Sequence, residues 1–302
     1  IIRKLPNEEI LLEQAEDGSI LIRTHSSEFT VVSLPVDEFP KIGDQEEERE
    51  HLIFDAEIFK DMVKQTSFAA SVDESKGVLV GVLTEIHPQS VSMVALDGYR
   101  LAVSTEKMNS GQENHFIISA KIINEISKII AEDGDAEEVE IYLGKKKATF
   151  RIDTTEIVLR LMEGEYIKYR DIMPTQSTTD IVIGRAILQE SIERASLLAR
   201  EGKNNLIKMT IKNNLLTITS RSEEGNVKEE IIMDTVLSDE FMDKVQDLEI
   251  GFNSKFVIDV LKVIDDDEIS MHFLTGTSPC MVKPVSGDAY EYLILPVRIP
   301  TM

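Results

Sequence analysis

Lysine residues recur at matching positions in two segments that have helical periodicity. Lys121 and Lys128 are seven residues apart, and Lys255 and Lys262 repeat that spacing. At about 100° per residue, this spacing puts both ammonium groups on one helix face, opposite the apolar stripe, where they can attract phosphate groups. Two further helical segments carry basic residues: Lys60, Lys64, Arg185 and Arg194. The pattern predicts a segregated positive surface; ordinary exposed helix charge, helped by pairs such as Lys121 with Glu125, is the alternative.

Other kinds of site chemistry lack their usual motifs. The sequence contains no G-x-G-x-x-G or G-x-x-x-x-G-K phosphate loop and no G-x-S-x-G nucleophile turn. Cys280 has only His272 near it in sequence, so a buried structural thiol is expected. The acidic residues 265–268 lack the glycine and distal glutamate of a calcium loop and predict a solvated turn. The histidines show no metal-ligand spacing: His25, His51, His87, His115 and His272. We therefore expect no catalytic residue, no metal and no cofactor.

Composition limits the class of protein. The chain has 302 residues and a net charge of −23, and its length is typical of about two domains. A single cysteine suits a reducing cytoplasm. No apolar run reaches the roughly 18 residues of a membrane-spanning helix, and no signal peptide is present, so we expect a cytoplasmic protein without a membrane partner. Because the total charge is strongly negative, any DNA-binding role must depend on how charge is distributed.

Three pairs of segments match one another along the chain, which indicates duplicated domains. The apolar positions of the longest pair fall in register, as in Phe59 with Leu188 and Val63 with Ile192. The matching pairs are residues 52–71 with 181–200, 119–130 with 253–264, and 34–39 with 161–166. Because the last match precedes the first complete copy, we expect the chain to begin inside its first domain and to lack a native start.

The repeats predict three domains. Residues 1–43 form the C-terminal part of a first domain, 44–175 a second and 176–302 a third. A charge-rich segment at 43–50 and a Pro-, Ser- and Thr-rich segment at 174–179 separate them. Each complete domain reads as strand, helix, strands, helix, strands. We predict an α+β fold in which each domain is a duplicated module of helices packed on one face of an antiparallel sheet.

Two further motifs are specific in sequence. LDGYRLA at 96–102 places Asp97 and Gly98 between two strands and predicts a hairpin. YLILPVRI at 292–299 is an apolar strand interrupted by Pro296, which predicts an edge strand or a bulge. Such an edge could end the sheet or accept an extended peptide.

The hairpin motif, the segment EGEYIKYRDIMP at 163–174 and the terminal LILPVRI together resemble the bacterial sliding clamps, the beta subunits of DNA polymerase III. The resemblance extends over the whole chain. It implies a non-catalytic processivity factor of three domains, which dimerises head to tail into a ring of six similar domains around duplex DNA. It also implies a chain truncated by roughly half of domain one. The implied partners are duplex DNA, the polymerase III catalytic subunit, the clamp loader, other clamp-motif proteins and, at full length, a second copy.

The same resemblance implies a pocket that accepts a short linear peptide. Tyr99 and Ile167 stand where some members have histidine and proline, so peptide preference is expected to differ in detail. Arg100 is expected to hold a polar or carboxylate group of the peptide at the rim of the pocket. Removal of residues 293–299 is expected to abolish peptide binding without unfolding the chain. The implied pocket residues are Leu79, Leu96, Gly98, Tyr99, Arg100, Leu101, Ile167, Ile172, Asn253, Phe256, Thr277, Pro279, Leu293, Ile294, Leu295, Pro296, Val297 and Arg298.

The ring interface implied by the resemblance joins Phe29 and Val31 of one subunit to Leu197 and Leu198 of the other. Four helices are expected to line one wall that faces DNA, with the excess acid on the outside. Two alternatives stay open: an interaction scaffold without DNA, and a hydrolase or isomerase with an unrecognised carboxylate pair. The expected DNA-facing residues are Lys60, Lys64, Lys121, Lys128, Arg194, Lys255 and Lys262.

Overall fold

The computed structural model of the chain contains two compact units, Ile1–Glu47 and Glu48–Met302, which are described separately. The predicted linker at 43–50 lies outside the described residues except for Glu50, and so does Phe39 of the short third repeat. The structure describes residues 1–38, 50–133, 136–212, 214–233 and 247–300.

The first unit contains a three-stranded antiparallel sheet in the order β1-β2-β3. A tight turn joins β1 to β2, in which the Asp17 carboxylate accepts a hydrogen bond of 3.0 Å from the backbone N–H of Ser19. The strands are β1 (Leu11–Gln14), β2 (Ile20–Arg23) and β3 (Glu28–Val31).

The second unit contains four α-helices and sixteen strands among its described residues. The helices are α1 (Ala56–Thr66), α2 (Ala120–Asp133), α3 (Arg185–Ala199) and α4 (Ser254–Leu261). The strands are β4 (Glu50–Asp55), β5 (Gly81–His87), β6 (Ser90–Leu96), β7 (Arg100–Lys107), β8 (Asn114–Ser119), β9 (Glu138–Leu143), β10 (Lys147–Ile152), β11 (Thr155–Arg160), β12 (Thr179–Gly184), β13 (Leu206–Lys212), β14 (Leu215–Ser222), β15 (Gly225–Ile232), β16 (Leu248–Asn253), β17 (Glu268–Phe273), β18 (Cys280–Pro284) and β19 (Tyr290–Ile294).

Three antiparallel sheets organise these strands. Two have four strands, in the orders β11-β10-β9-β4 and β15-β14-β13-β16. The third has eight, in the order β12-β17-β18-β19-β7-β6-β5-β8. In the middle of this sheet β19 pairs with β7, so that Leu293 lies opposite Leu101. The eight-stranded sheet therefore combines strands from both halves of the second unit, which the repeat pattern did not predict.

The repeat register is confirmed by burial. Phe59 and Val63 on α1 are buried, as are their counterparts Leu188 and Ile192 on α3. The Asp55 carboxylate caps α1 by accepting a 3.0 Å hydrogen bond from the backbone N–H of Ile58, which satisfies one of the free donors at the helix start.

The four helices lie on one face of the eight-stranded sheet and share one continuous apolar core with it. Helix α1 packs against α2, and α3 against α4. A second, smaller apolar cluster lies on the opposite face. It contains Leu83, Leu101, Met281 and Leu293, and Tyr169 of the segment between β11 and β12 packs into it. The helices therefore cover one face of the eight-stranded sheet, and the smaller apolar cluster lies on its other face.

The structure corrects the interpretation of the last strand. β19 is hydrogen-bonded to β18 on one side and to β7 on the other, so it is not an edge strand. It ends at Ile294, two residues before Pro296, and the proline therefore removes no donor from the sheet. The prediction of a buried structural thiol is confirmed, since Cys280 is fully buried in β18 and burial raises the pKa of its thiol.

Candidate functional site

The turn between β6 and β7 forms one wall of the candidate site, and the hairpin predicted there is confirmed. The Asp97 carboxylate accepts hydrogen bonds from the backbone N–H groups of Tyr99 (2.8 Å) and Arg100 (3.0 Å). Gly98 has a φ of 94°, a backbone conformation that residues with a Cβ rarely adopt. This turn holds the Tyr99 ring outward, where it is 63% exposed.

A cavity of about 250 Å³ opens beside this turn, on the face of the eight-stranded sheet that the helices leave free. Four separate stretches of chain converge on it: the β6–β7 hairpin, the 3-10 helix Tyr169–Ile172, the loop before β18 and the end of β19. Its lining is almost entirely apolar, which suits aliphatic or aromatic groups. The lining residues are Leu96, Gly98, Tyr99, Arg100, Leu101, Ile172, Pro279, Leu293 and Leu295. The structure thus brings together nine of the residues expected to form the pocket.

Some of the other expected pocket residues support this cavity from behind or from its rim. Leu79 packs against the smaller apolar cluster beneath it. The Phe256 ring stacks on Tyr99 with 5.9 Å between ring centroids. Asn253 caps α4, its side chain accepting a 3.0 Å hydrogen bond from the backbone N–H of Lys255.

The remaining expected residues lie apart from the cavity lining. Ile294 is buried in the larger core on the opposite face. Val297 donates a 2.8 Å backbone hydrogen bond to Gly251, and Thr277 is exposed in the loop before β18. Ile167 lines a different cleft of about 590 Å³, which Tyr169 also lines. Pro296 and Arg298 follow the last strand, at positions half-buried and exposed, respectively.

Two expectations about the pocket need correction. Arg100 does not present its guanidinium at the rim: the side chain is only 9% exposed and is hydrogen-bonded inside the protein to Asp97 and Asp259. Removal of residues 293–299 is also incompatible with an intact fold. It would take Leu293 and Ile294 out of a strand that pairs on both sides.

Most of the basic side chains expected to face DNA are paired with carboxylates. Lys121 pairs with Glu74 at 3.0 Å, and Glu125, expected as its partner, pairs with Lys128 instead. Lys255 is exposed and has no ion pair among the residues that the structure describes. The other pairs are Lys60 with Glu57 (2.7 Å), Lys64 with Asp265 (2.9 Å) and Lys262 with Glu193 (3.8 Å).

Arg194 lies in a different environment from these lysines. Its guanidinium donates to the Glu229 carboxylate on β15 at 2.8 Å, and this contact lowers the pKa of Glu229. The outer strand of the β15-β14-β13-β16 sheet is therefore tied to α3. Arg194 thus lies near Leu197 and Leu198 on the same helix, beside the predicted ring interface.

Acidic residues accompany the basic residues on the four helices. Each of the four helices contains at least as many acidic residues as basic ones. Four of the helix lysines lie within ion-pairing distance of a carboxylate: Lys60, Lys64, Lys121 and Lys128. The segregation of positive charge on one surface stays a prediction. The sequence pattern showed the recurring lysines but not the acidic partners from elsewhere in the chain, such as Glu74 and Asp265.

The residues expected at the ring interface are at the surface of their units. Leu197 is 64% exposed and Leu198 is half-buried at the end of α3. In the first unit, Phe29 is exposed and Val31 half-buried on β3. The exposure of Leu197 shows that this side chain does not serve only the core of its unit.

A metal-binding cluster and a membrane-spanning helix are both absent among the described residues. No group of three or more His, Cys, Asp or Glu side chains there is placed to hold a metal ion. No helix in the same part of the chain combines the length and apolar composition needed to cross a membrane. Residues 265–267 are exposed, which confirms the predicted solvated turn.

Comparison with known proteins gives consistent matches along the chain. A family model described as the DNA polymerase III beta subunit, C-terminal domain, matches residues 170–298, and the central-domain model of the same subunit matches residues 53–168. The beta sliding clamp of Staphylococcus epidermidis is 34% identical over 300 residues, which are 99% of this chain and 77% of that protein.

Solved structures are similar in fold over the same extent. The DNA polymerase sliding clamp from Bacillus subtilis is 30% identical, with a TM-score of 0.87, and the match covers 99% of this chain and 77% of that one. The DNA polymerase III beta subunit from Thermotoga maritima is also 30% identical, with a TM-score of 0.86 over 99% and 78% of the two chains.

Proposed function

Because the chain belongs to the family of bacterial DNA polymerase III beta sliding clamps, it is a non-catalytic processivity factor of DNA replication, and we propose that the cavity beside Tyr99 is where it holds its protein partners. The observation that carries this proposal is the convergence of four chain segments on one apolar cavity. Its partners are the polymerase III catalytic subunit, the clamp loader and other proteins with a clamp-binding motif.

The chemistry of the cavity selects the kind of ligand. Leu96, Leu101, Leu293 and Leu295 offer aliphatic surface, and the charged end of Arg100 is already engaged within the protein. Each aliphatic anchor of a bound peptide contributes roughly 1.5–3 kcal/mol if it is fully covered. We infer that a short linear peptide binds through apolar side chains, with little dependence of its affinity on salt.

The DNA-binding role follows from encirclement rather than from tight contacts. A ring holds duplex DNA topologically, and phosphate contacts without base readout leave it free to slide. In our proposal the ring is a homodimer closed by Phe29 and Val31 against Leu197 and Leu198. The helix lysines, Lys255 in particular, supply only weak attraction because most of them are paired. We place this activity in the cytoplasm, where the replication partners are.

A charge-inserting substitution at the pocket tests the proposal. Ile172 lines the cavity and is 49% exposed, so Ile172→Glu leaves the core intact but places a carboxylate against the bound peptide. We expect the affinity for a synthetic clamp-motif peptide to fall at least about tenfold, since that carboxylate would be desolvated without a partner. Fluorescence anisotropy of the labelled peptide measures the effect.

The matched control is Ile167→Glu. Ile167 belongs to the same segment and is 43% exposed, but it lines the neighbouring cleft. This variant should bind the peptide like the wild type. Unchanged affinity in Ile172→Glu would contradict the proposed pocket, whereas loss in both variants would extend the site into that cleft.

A further inference from the structure

A buried contact network lies directly behind the pocket and is centred on Arg100. The guanidinium donates three hydrogen bonds: Nε to Asp97 (3.2 Å), Nη1 to Asp259 (2.6 Å) and Nη2 to the backbone carbonyl of Phe68 (2.8 Å). The side chain is almost fully buried. One residue thus ties the hairpin to α4 and to the turn that follows α1.

Two aromatic rings lie against the same guanidinium. The carbon of the group lies 5.2 Å from the Phe68 ring centroid and 4.8 Å from that of Phe256. Phe256 in turn stacks on Tyr99, with an interplanar angle of 23°. The order of contacts is therefore Asp259, Arg100, Phe256 and Tyr99, and only the last ring faces outward into the pocket.

Such a network fixes the position of an exposed ring that would otherwise be free. A planar guanidinium can be bonded along its edge and stacked on its faces at the same time, which an ammonium group cannot do. Asp259 sets the direction of the guanidinium, the guanidinium sets Phe256, and Phe256 provides the surface on which Tyr99 rests. The outer wall of the pocket is thereby held in one arrangement before a ligand arrives, which lowers the cost of ordering it on binding.

We propose that Asp259 and Arg100 are positioning residues for the peptide pocket, acting through Phe256 to hold Tyr99 against an apolar anchor of the bound peptide. The polar atoms of neither residue touch the ligand. This inference rests on the proposed function, because it presupposes that a peptide occupies the pocket.

The test is an isosteric substitution at the far end of the network. In Asp259→Asn the side chain keeps its shape but loses its charge, so Arg100 is held less firmly. We expect the affinity for the labelled clamp-motif peptide to fall about tenfold. The matched control is Asp265→Asn, which removes another carboxylate that pairs with a basic residue, Lys64, near the end of α4. It should bind the peptide like the wild type.

A double-mutant cycle separates positioning from a general loss of stability. If Asp259 acts through Phe256, then Asp259→Asn should cause no further loss of affinity in a Phe256→Ala background. If Asp259→Asn fails to fold at the assay temperature, Arg100→Lys takes its place. That variant keeps a positive charge between the carboxylates but cannot stack on both rings, and the same loss is expected.

The outcomes distinguish this inference from the proposed function. Failure of the wild-type protein to bind the peptide would overturn the proposed function itself. Wild-type binding together with unchanged affinity in Asp259→Asn or in the substitute Arg100→Lys would overturn the positioning role alone. A full additional loss from Asp259→Asn in the Phe256→Ala background would also overturn it.

Discussion

The hydroxyl groups of two buried tyrosines, Tyr169 and Tyr292, differ in their hydrogen bonding. Tyr169 donates a 2.6 Å hydrogen bond to Glu85, whereas the hydroxyl of Tyr292 is buried without a hydrogen-bond partner among the described residues. Burial raises the pKa of both phenols, so both stay protonated at neutral pH. The two side chains therefore differ in whether the buried hydroxyl is satisfied.

This difference predicts opposite effects of the same substitution. Tyr292→Phe should leave the free energy of unfolding unchanged or raise it by up to about 1 kcal/mol, because an unsatisfied buried group is removed. Tyr169→Phe should lower it by about 1 kcal/mol through loss of the hydrogen bond to Glu85. Urea unfolding followed by circular dichroism measures both. A clear loss of stability in Tyr292→Phe would show that its hydroxyl has a partner.

Residue types alone led to the wrong role for Arg100. Beside an apolar pocket an arginine suggests a ligand for a carboxylate, and the sequence places it next to the outward-facing Tyr99. Its actual partners, Phe68 and Asp259, are 32 and 159 residues away along the chain. No periodicity in the sequence relates those positions, so only the folded structure could reveal the network.

At the scale of elements, the duplication predicted the helices and their buried positions, but not how the two halves join. The buried apolar positions of α1 and α3 can be predicted from the sequence of each helix alone, because they recur with a period of about 3.6 residues. The pairing of β19 with β7 joins strands far apart in sequence, and an apolar strand pattern does not specify its neighbour. Pro296 suggested an edge strand, but the strand ends two residues before it, at Ile294.

The end of α3 carries the prediction for assembly. Leu197 and Leu198 lie at the surface, next to the outer strand β15 that Arg194 ties to the helix. Replacing both leucines with alanine should convert dimers into monomers, because the apolar contact area of the interface is lost. Sedimentation velocity measures the change. Ile187→Ala, at another exposed apolar position of α3, should stay dimeric; intact dimers in the double variant would contradict this interface.

For the whole molecule, the distribution of charge decides how it holds DNA. The chain carries a net charge of −23, and carboxylates pair with the lysines of α1 and α2. The number of released counterions, and with it the salt dependence of binding, scales with the number of phosphates that basic residues neutralise. In our proposal, direct attraction by these lysines is weak because most of them are paired, and the closed ring supplies the retention.

The most direct test of this account is retention on circular DNA at high salt. The protein is loaded onto a nicked circular duplex by a clamp loader, passed through a gel-filtration column in high-salt buffer, and analysed again after the circle is cut once. We predict that the protein elutes with the intact circle and is released by the cut. Dissociation from the uncut circle at high salt, or persistence on the linear product, would contradict it.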